Sequence, residues 1–126
     1  MIVRAAQHQP PATARAIEAV DARGRVRGRA GYDEWTPNSV RIHLALDGVA
    51  AARALLRPAF AYPFLECGRR VLLATVPAHG RALRLARHAG FRETHRVRDG
   101  WSAGVDLVYL EMRAEDCRWI RRREAA

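Results

Sequence analysis

Three side chains of this sequence have the right type to move protons in a cleft. His43 lies in the alternating segment 40–46, and an imidazole that titrates near neutral pH can serve as a general base toward an amine. Glu34 follows Asp33 near the end of the segment before it, and Tyr109 lies in the last apolar segment. Each also has a structural explanation: a hydrogen-bonded histidine, a surface acid, and a core tyrosine whose hydroxyl reaches the edge. Acid–base chemistry is therefore allowed, and both explanations stay open.

Anion binding is a second kind of chemistry, indicated by the stretch 76–91, VPAHGRALRLARHAGF. It leaves an apolar run, begins a helix predicted over residues 80–89, and stops at Gly90, a residue type common at helix ends. Arg81 and Arg84 lie in the first half of this helix and could supply positive charge to a phosphate. A capped surface helix with solvated arginines fits the same residues.

The charge of the chain favours a partner that carries phosphate. All 22 basic residues are arginine, and with 13 acidic residues they give a net charge of +9, which attracts nucleic acid or a polyphosphate cofactor from a distance. The run 23–29, RGRVRGR, resembles an RNA-binding segment, but its glycines fit a hairpin equally well and no aromatic residues are interleaved for base stacking. Nucleic acid is therefore the less favoured partner, although it is not excluded.

Changes in the hydrophobic period predict the elements that must position these residues. Alternation predicts strands over residues 16–21, 26–35 and 40–46, and a period of 3.6 then predicts a helix over residues 49–65. Residues 71–76 are apolar without alternation, as in a central strand covered on both faces. After helix 80–89, strands over about residues 91–98 and 105–112 complete the order β-β-β-α-β-α-β-β. We therefore expect an α/β (α+β) fold whose mixed, mostly antiparallel central sheet is flanked by helices.

The length of the chain suits a single domain over residues 16–112, with an irregular N-terminal arm of residues 1–15 and a C-terminal tail of residues 113–126. Cys67 and Cys117 have no partners at metal-ligand spacing, so we expect reduced structural thiols and no metal site. No stretch reaches the ~20 apolar residues of a membrane span, and the start lacks the apolar region of a signal peptide. We expect no membrane association and a cytoplasmic location.

Residues 16–112 resemble the GCN5-related N-acetyltransferase (GNAT) superfamily through motifs that occur in its order and spacing. In that superfamily a central strand runs into V-x-x-x-N-x-x-A-x-x-x-Y-x-x-x-G-F; here strand 71–76 leads to Ala82 and, at the matching distance, to Gly90-Phe91. The closing stretch 110–119, LEMRAEDCRW, resembles the end of small bacterial and phage-encoded members. The resemblance implies the GNAT fold, acetyl-CoA as co-substrate, and acetyl transfer to an unidentified amine acceptor by direct attack.

The resemblance also implies where coenzyme A would bind. The splay between the third strand and the central strand would hold the pantetheine through main-chain groups near Leu46 and Val76. The pyrophosphate-binding turn, Q/R-x-x-G-x-G/A, falls on residues 47–52, DGVAAA, where only Ala52 fits the pattern. Gly48 would leave room for a phosphate, whereas Ala50 crowds its approach and Asp47 adds negative charge there. Further positive charge would come from Arg53, Arg81 and Arg84.

Two departures from the motif bear on catalysis. His79 takes the place of the asparagine and could still bond a pantetheine amide, whereas Ala86 takes the place of the tyrosine that is the usual general acid. Tyr109 is the candidate to replace that acid, with His43 as base and Glu34 as the residue that binds or deprotonates the acceptor. The alternative function is a catalytically degenerate GNAT-like module that binds protein or nucleic acid.

A third departure concerns length. Members of the superfamily usually place one or two helices before the first hairpin to wall the acceptor side, and only about fifteen residues precede Ala16 here. We therefore expect either an open acceptor cleft or a homodimer in which a second subunit completes it.

Overall fold

The computed structural model describes residues 1–6 and 15–121, and a single sheet of seven strands organises them. The strands are β1 (Ile2–Ala5), β2 (Arg15–Val20), β3 (Val26–Asp33), β4 (Ser39–Leu46), β5 (Val71–Pro77), β6 (Arg92–Ser102) and β7 (Val105–Arg113). Their order across the sheet is β1-β2-β3-β4-β5-β7-β6, and all neighbours are antiparallel except β4 and β5. The predicted mixed, mostly antiparallel sheet is confirmed, with one additional strand at its start.

That additional strand corrects the prediction of an irregular arm over residues 1–15. β1 pairs with β2 in the register Ile2 with Val20 through Ala5 with Ile17. Arg4 Nε donates to Glu18 Oε1 at 2.8 Å, and the Glu18 side chain is only 6% exposed. The strand was missed because an edge strand is held by backbone pairing and this ion pair rather than by alternating apolar residues. Residues 7–14 of the predicted arm lie outside the described residues.

Two helices pack on the same face of the sheet, which we call the helix side. They are α1 (Val49–Ala61) and α2 (Arg81–Ala89). Leu55 of α1 and Leu83 of α2 belong to one buried cluster with Ile42 of β4 and Ala74 of β5. Gly90 ends α2 in the left-handed conformation, with φ 112°, as the sequence predicts.

The opposite face, which we call the open side, is not covered by any helix of residues 1–6 and 15–121. Leu73 of β5 points to it and is 40% exposed, whereas its neighbour Leu72 on the helix side is fully buried. The expectation that β5 is covered on both faces is therefore wrong for the part of the chain that the structure describes. A short apolar run does not distinguish two-sided burial from apolar residues left at a surface.

The first helix is shorter than predicted and continues differently. α1 ends at Ala61 and passes into one π-helical turn, Tyr62–Glu66, with Pro58 inside the helix. Pro63 lies in that turn, and proline has no N–H for the helical bond four residues back, which explains a change of winding at this point. The buried face includes Ala51, Leu55 and Phe60, while Ala52 is only half-buried.

Most of the predicted tail is part of the packed domain. Arg113 belongs to β7, and two short 3-10 turns follow at Ala114–Asp116 and Arg118–Ile120. Cys117 is 1% exposed, and burial raises the pKa of its thiol. Trp119 Nε1 donates to the carbonyl of Ala89 at 2.8 Å, so this segment closes the C-terminal end of α2. Residues 122–126 of the tail lie outside the described residues. No helix among the described residues has the length and apolarity to span a membrane.

Candidate active site

The two parallel strands at the centre of the sheet separate soon after they meet. β4 and β5 pair only from Ser39 with Val71 to Arg41 with Leu73. Beyond these residues β4 continues paired with β3 and β5 continues paired with β7, so the backbone groups that face each other across the gap have no strand partner. The gap opens into a cavity of about 210 Å³, which we call the splay pocket.

The splay pocket has an apolar interior and a polar edge. Side chains on the helix side are hydrocarbon or aromatic and include Ile42, Leu44, Ala74, Val76, Leu85, Ala86 and Phe91. The two lining residues that carry a hydroxyl or an imidazole are His43 and Thr75, which alternate with these neighbours and so point toward the open side. Trp101, near the end of β6, completes the lining and is 55% exposed.

A larger groove joins the splay pocket on the helix side. It has a volume of about 550 Å³ and runs between the end of β4, the start of α1 and the first turns of α2. Leu44, Ala82 and Leu85 line both cavities, so the groove leads directly into the splay. Its other lining residues are Ala45, Leu46, Gly48, Val49, Ala52, Arg81 and Arg84.

The groove has the features of an anion site. Gly48 precedes α1 with φ 89°, and an added Cβ there would meet no atom within 4 Å. The first-turn N–H groups of α1 lack helical acceptors, and this turn carries no acidic residue. Neither Arg81 nor Arg84 forms an ion pair within the described residues, so both guanidinium groups are available to a ligand.

His43 belongs to a hydrogen-bonded cluster on the open side. Its Nε2 lies 3.0 Å from Asp33 Oδ1, and Arg41 donates to both oxygens of Asp33 at 2.9 and 3.0 Å. The hydrogen bond from Arg41, and more weakly that from His43, holds the pKa of Asp33 below its ordinary value. Glu34 Oε1 lies 3.4 Å from the same guanidinium. Asp33 therefore stays a carboxylate that orients the His43 ring, and the His43 side chain remains 52% exposed.

Comparison with known proteins identifies this architecture. No protein-family model matches the sequence, and a search of the curated proteins finds no match. Among solved structures, the dodecameric spermidine N-acetyltransferase SpeG of Vibrio cholerae matches with a TM-score of 0.74 and 18% identity, over 90% of this chain and 71% of that one. SpeG in complex with CoA and spermine matches with a TM-score of 0.73 and 17% identity, over 87% and 70%.

The chain has the GNAT fold. A third SpeG structure, of the spermidine/spermine N-acetyltransferase with manganese ions, has a TM-score of 0.70 and 18% identity, with 82% of this chain covered. The chain spans 66% of the length of that structure. At these sequence identities the structural likeness establishes the fold of this chain.

Asp47, which adds negative charge at the GNAT pyrophosphate turn, forms a contact that the sequence did not predict. Asp47 Oδ2 accepts from Arg27 Nη1 at 2.8 Å, while Arg27 Nε donates to Asp21 at 2.9 Å. Bonds to these two carboxylates raise the pKa of Arg27, and the bond to Arg27 lowers the pKa of Asp21. Arg27 thus offsets part of the charge of Asp47 while it also bonds Asp21, and an arginine of the RGRVRGR run is engaged within the fold.

The structure brings most of the predicted coenzyme A residues together. Five of them line the groove, namely Leu46, Gly48, Ala52, Arg81 and Arg84, and Val76 lines the splay pocket. Ala50, Arg53 and His79 are exposed and do not line either cavity, so their predicted roles stay predictions. Ala86, at the GNAT tyrosine position, is 8% exposed and forms part of the splay pocket wall.

Tyr109, the candidate acid, lies outside the splay pocket, whereas two residues that the sequence did not predict line it. Tyr109 lies on the open side, opposite Thr75, is 41% exposed, and has its ring 6.2 Å from that of His95. It does not line the splay pocket. Thr75 and Trp101 do line it and were missed, because no local pattern indicates that β4 and β5 separate beside them. The one available signal was the alternation of side chains along a strand, which puts Thr75 and its neighbour Ala74 on opposite faces of the sheet.

Proposed function

We propose that this protein is an acyl-CoA-dependent N-acetyltransferase that transfers an acetyl group to an amine by direct attack. The observation that carries the proposal is the opening of β4 from β5 after three residue pairs, which leaves a pocket through the sheet joined to a positively charged groove. Phosphates of coenzyme A fit the groove, where Arg81, Arg84 and the start of α1 lie. The pantetheine fits the gap, where free backbone groups can bond its amides.

The chemistry requires few groups from the protein. The amine nitrogen attacks the thioester carbon, a C–N bond forms, the C–S bond breaks, and coenzyme A leaves as a thiol after taking a proton. In this proposal His43 accepts the amine proton, and the contact between Asp33 and His43, which holds the ring, supports that role. Holding thioester and amine together supplies much of the rate, so turnover does not depend on a strong acid at Ala86.

The SpeG structures support the class of reaction and suggest a class of acceptor. One contains CoA and spermine, so the same fold accommodates a CoA molecule and a polyamine in that protein. For this chain we propose an amine acceptor without naming it, because no described residue identifies it. A dodecameric SpeG fits the expectation of an oligomer, and the homodimer and the cytoplasmic location remain predictions.

The alternative, a binding module without turnover, is favoured by one observation: the splay pocket wall carries Ala86 where the GNAT motif has its acid. Free Arg81 and Arg84 would then serve a phosphate-bearing partner without acyl transfer. Measurement of thiol release separates the two functions, because only the enzyme frees coenzyme A when an amine is added.

The test combines binding and turnover on the purified chain. Acetyl-CoA at a hundred times its Kd stabilises a protein by about 2.7 kcal/mol, which raises the melting temperature on the order of 10 °C for a domain of this size. ATP at the same concentration is the control, since it has a similar polyphosphate and no pantetheine. Thiol release is then followed with a panel of polyamines, amino sugars and peptides. An unchanged melting temperature at millimolar acetyl-CoA contradicts the proposal.

A further inference from the structure

Side chains of four strands form a row across the open side, which we call the open-side row. It consists of His43 of β4, Thr75 of β5, Tyr109 of β7 and His95 of β6. Tyr109 pairs with both Thr75 and His95, and cross-strand partners lie on the same face of a sheet. His43 and Thr75 both line the splay pocket, from opposite sides of the gap. The row therefore begins at the open edge of the splay pocket and continues away from it over the sheet.

The surface around the open-side row is apolar and exposed. The ring of Tyr109 within the row is 41% exposed, and Leu73 and Val97, on either side of the row, are 40% and 37% exposed. Leu107 pairs with both Pro77 and Val97, so these three residues form an apolar strip next to the row. A hydrocarbon group that lies on this surface is partly removed from water, which favours its binding.

Three carboxylates border the open-side row, and each has an arginine within 4 Å. Asp33 accepts two hydrogen bonds from Arg41, and Glu34 Oε1 lies 3.4 Å from the same guanidinium. Glu111 Oε1 lies 3.9 Å from Arg113 Nε. A second ammonium group on the acceptor would compete with these guanidinium groups, and the net charge of +9 would repel it.

We propose that the acceptor is an apolar monoamine, with one positive charge and a hydrocarbon body that lies on the open-side row. A polyamine, such as the spermine in complex with SpeG, is not the preferred acceptor. This inference gives the chemical class of the acceptor and not the molecule. It rests on the proposed function, because it assumes that a CoA thioester reaches the open edge of the splay pocket. The transfer step is unchanged: the amine forms the C–N bond, His43 takes the amine proton, the C–S bond breaks, and coenzyme A takes a proton and leaves as the thiol.

The first experiment compares hexylamine with hexamethylenediamine, which have the same length and differ by one ammonium group. With acetyl-CoA as the donor, thiol release at low salt should give hexylamine a kcat/KM about tenfold higher, because the diamine brings an unpaired charge to an apolar surface. The difference should shrink as salt screens the repulsion.

Arg41→Gln tests the cause of that preference, because it frees Asp33 and Glu34 from their arginine. The kcat/KM of the diamine relative to hexylamine should rise up to about fivefold, the usual scale of an exposed ion pair. Arg23→Gln is the matched control: it removes the same charge at an exposed turn and should keep the native ratio.

The second experiment compares hexylamine with propylamine and tests the apolar surface. Each added methylene that is half-buried should raise kcat/KM about twofold, so hexylamine should exceed propylamine up to about eightfold. Tyr109→Ser removes the ring and should lose most of this gain, whereas Tyr109→Phe keeps the ring and should keep the gain.

The outcomes separate this inference from the proposed function. A kcat/KM for the diamine that equals or exceeds that of hexylamine overturns the acceptor inference and leaves the proposed function intact. A kcat/KM for hexylamine no higher than that for propylamine has the same meaning, and so does thiol release with other amines but with neither of these two. Failure of acetyl-CoA to bind, or absence of thiol release with every amine, overturns both.

Discussion

The two sides of the β4–β5 splay differ in how their polar groups are partnered. On the helix side, Arg81 and Arg84 have no carboxylate partner within the described residues, and the pocket wall between them and Phe91 is hydrocarbon. On the open side, His43 and Arg41 share the carboxylate of Asp33. Charges left unpaired on one side suit binding of a ligand, whereas a bonded cluster on the other suits a fixed proton acceptor.

The single strand β4 contributes side chains to both sides of the splay. Side chains of β4 alternate between the faces, so Leu44 lines the helix-side groove while His43 lies at the open edge. The comparison therefore predicts that open-side variants change turnover with little effect on CoA affinity, and that helix-side variants do the reverse.

The largest expected effect is that of His43→Ala on turnover. Removal of a general base typically lowers kcat by about 10²–10⁴-fold. Because His43 is on the open side, the melting-temperature shift caused by acetyl-CoA should stay within a degree or two of the native shift, roughly a few tenths of a kcal/mol. Steady-state kinetics and thermal melts on the same preparation check both parts.

Tyr109→Phe is the comparison variant for that experiment. The Tyr109 hydroxyl is on the same face but outside the splay pocket, so we expect kcat within about twofold of native by the usual scale of a lost surface contact. A loss of tenfold or more would instead give Tyr109 the role of general acid. Equal kcat in His43→Ala and the native chain would remove the base assignment.

The second prediction concerns the helix side. Replacing both Arg81 and Arg84 by alanine should weaken acetyl-CoA binding about thirtyfold, if each exposed guanidinium contributes about 1 kcal/mol to phosphate binding. The kcat at saturating acetyl-CoA should be almost native. The native affinity should also fall as salt is raised, and the salt dependence should be weaker in the double variant.

Arg23→Ala with Arg25→Ala is the matched control, because it removes the same charge from an exposed hairpin turn that does not line the groove. If the control weakens binding as much as the groove variant does, long-range charge rather than the groove accounts for the affinity. Undiminished affinity in the groove variant would leave the α1 start as the phosphate site without these arginines.

The sequence predicts the elements better than the contacts between them. Alternation in β4 and the glycine that ends α2 are local signals, and they correctly predict a strand around His43 and a helix end at Gly90. The separation of β4 from β5 after Arg41 depends on which strands pair, and no residue of either strand signals it. Hence the splay was expected only from the resemblance to the GNAT superfamily.

Long-range polar contacts were equally hidden. Arg27 of β3 bonds Asp47, and Trp119 of the predicted tail donates to the carbonyl of Ala89 at the end of α2. Each contact joins residues at least twenty positions apart, and its partner becomes evident only once the strand register is known. The contact with Arg27 offsets part of the negative charge near the start of α1, and the effect of Asp47 on phosphate binding stays a prediction.

The smallest expected effect is on stability, and it tests the open-side cluster without substrate. Asp33→Asn removes a carboxylate that Arg41 and His43 both contact, and it should cost less than about 1 kcal/mol near pH 7 because the pair is partly exposed. The folded pKa of Asp33 is lowered, so its contribution is present above the ordinary value of 3.8 and is lost as the pH falls through the lower folded pKa. Urea melts at pH 7 and at pH 2–3 should therefore differ between native and variant only at the higher pH.

Asp116→Asn, at an exposed acid of the first 3-10 turn, should show no such difference. A constant gap between native and Asp33→Asn at both pH values would mean that the side-chain shape, rather than the ionised carboxylate, holds the cluster.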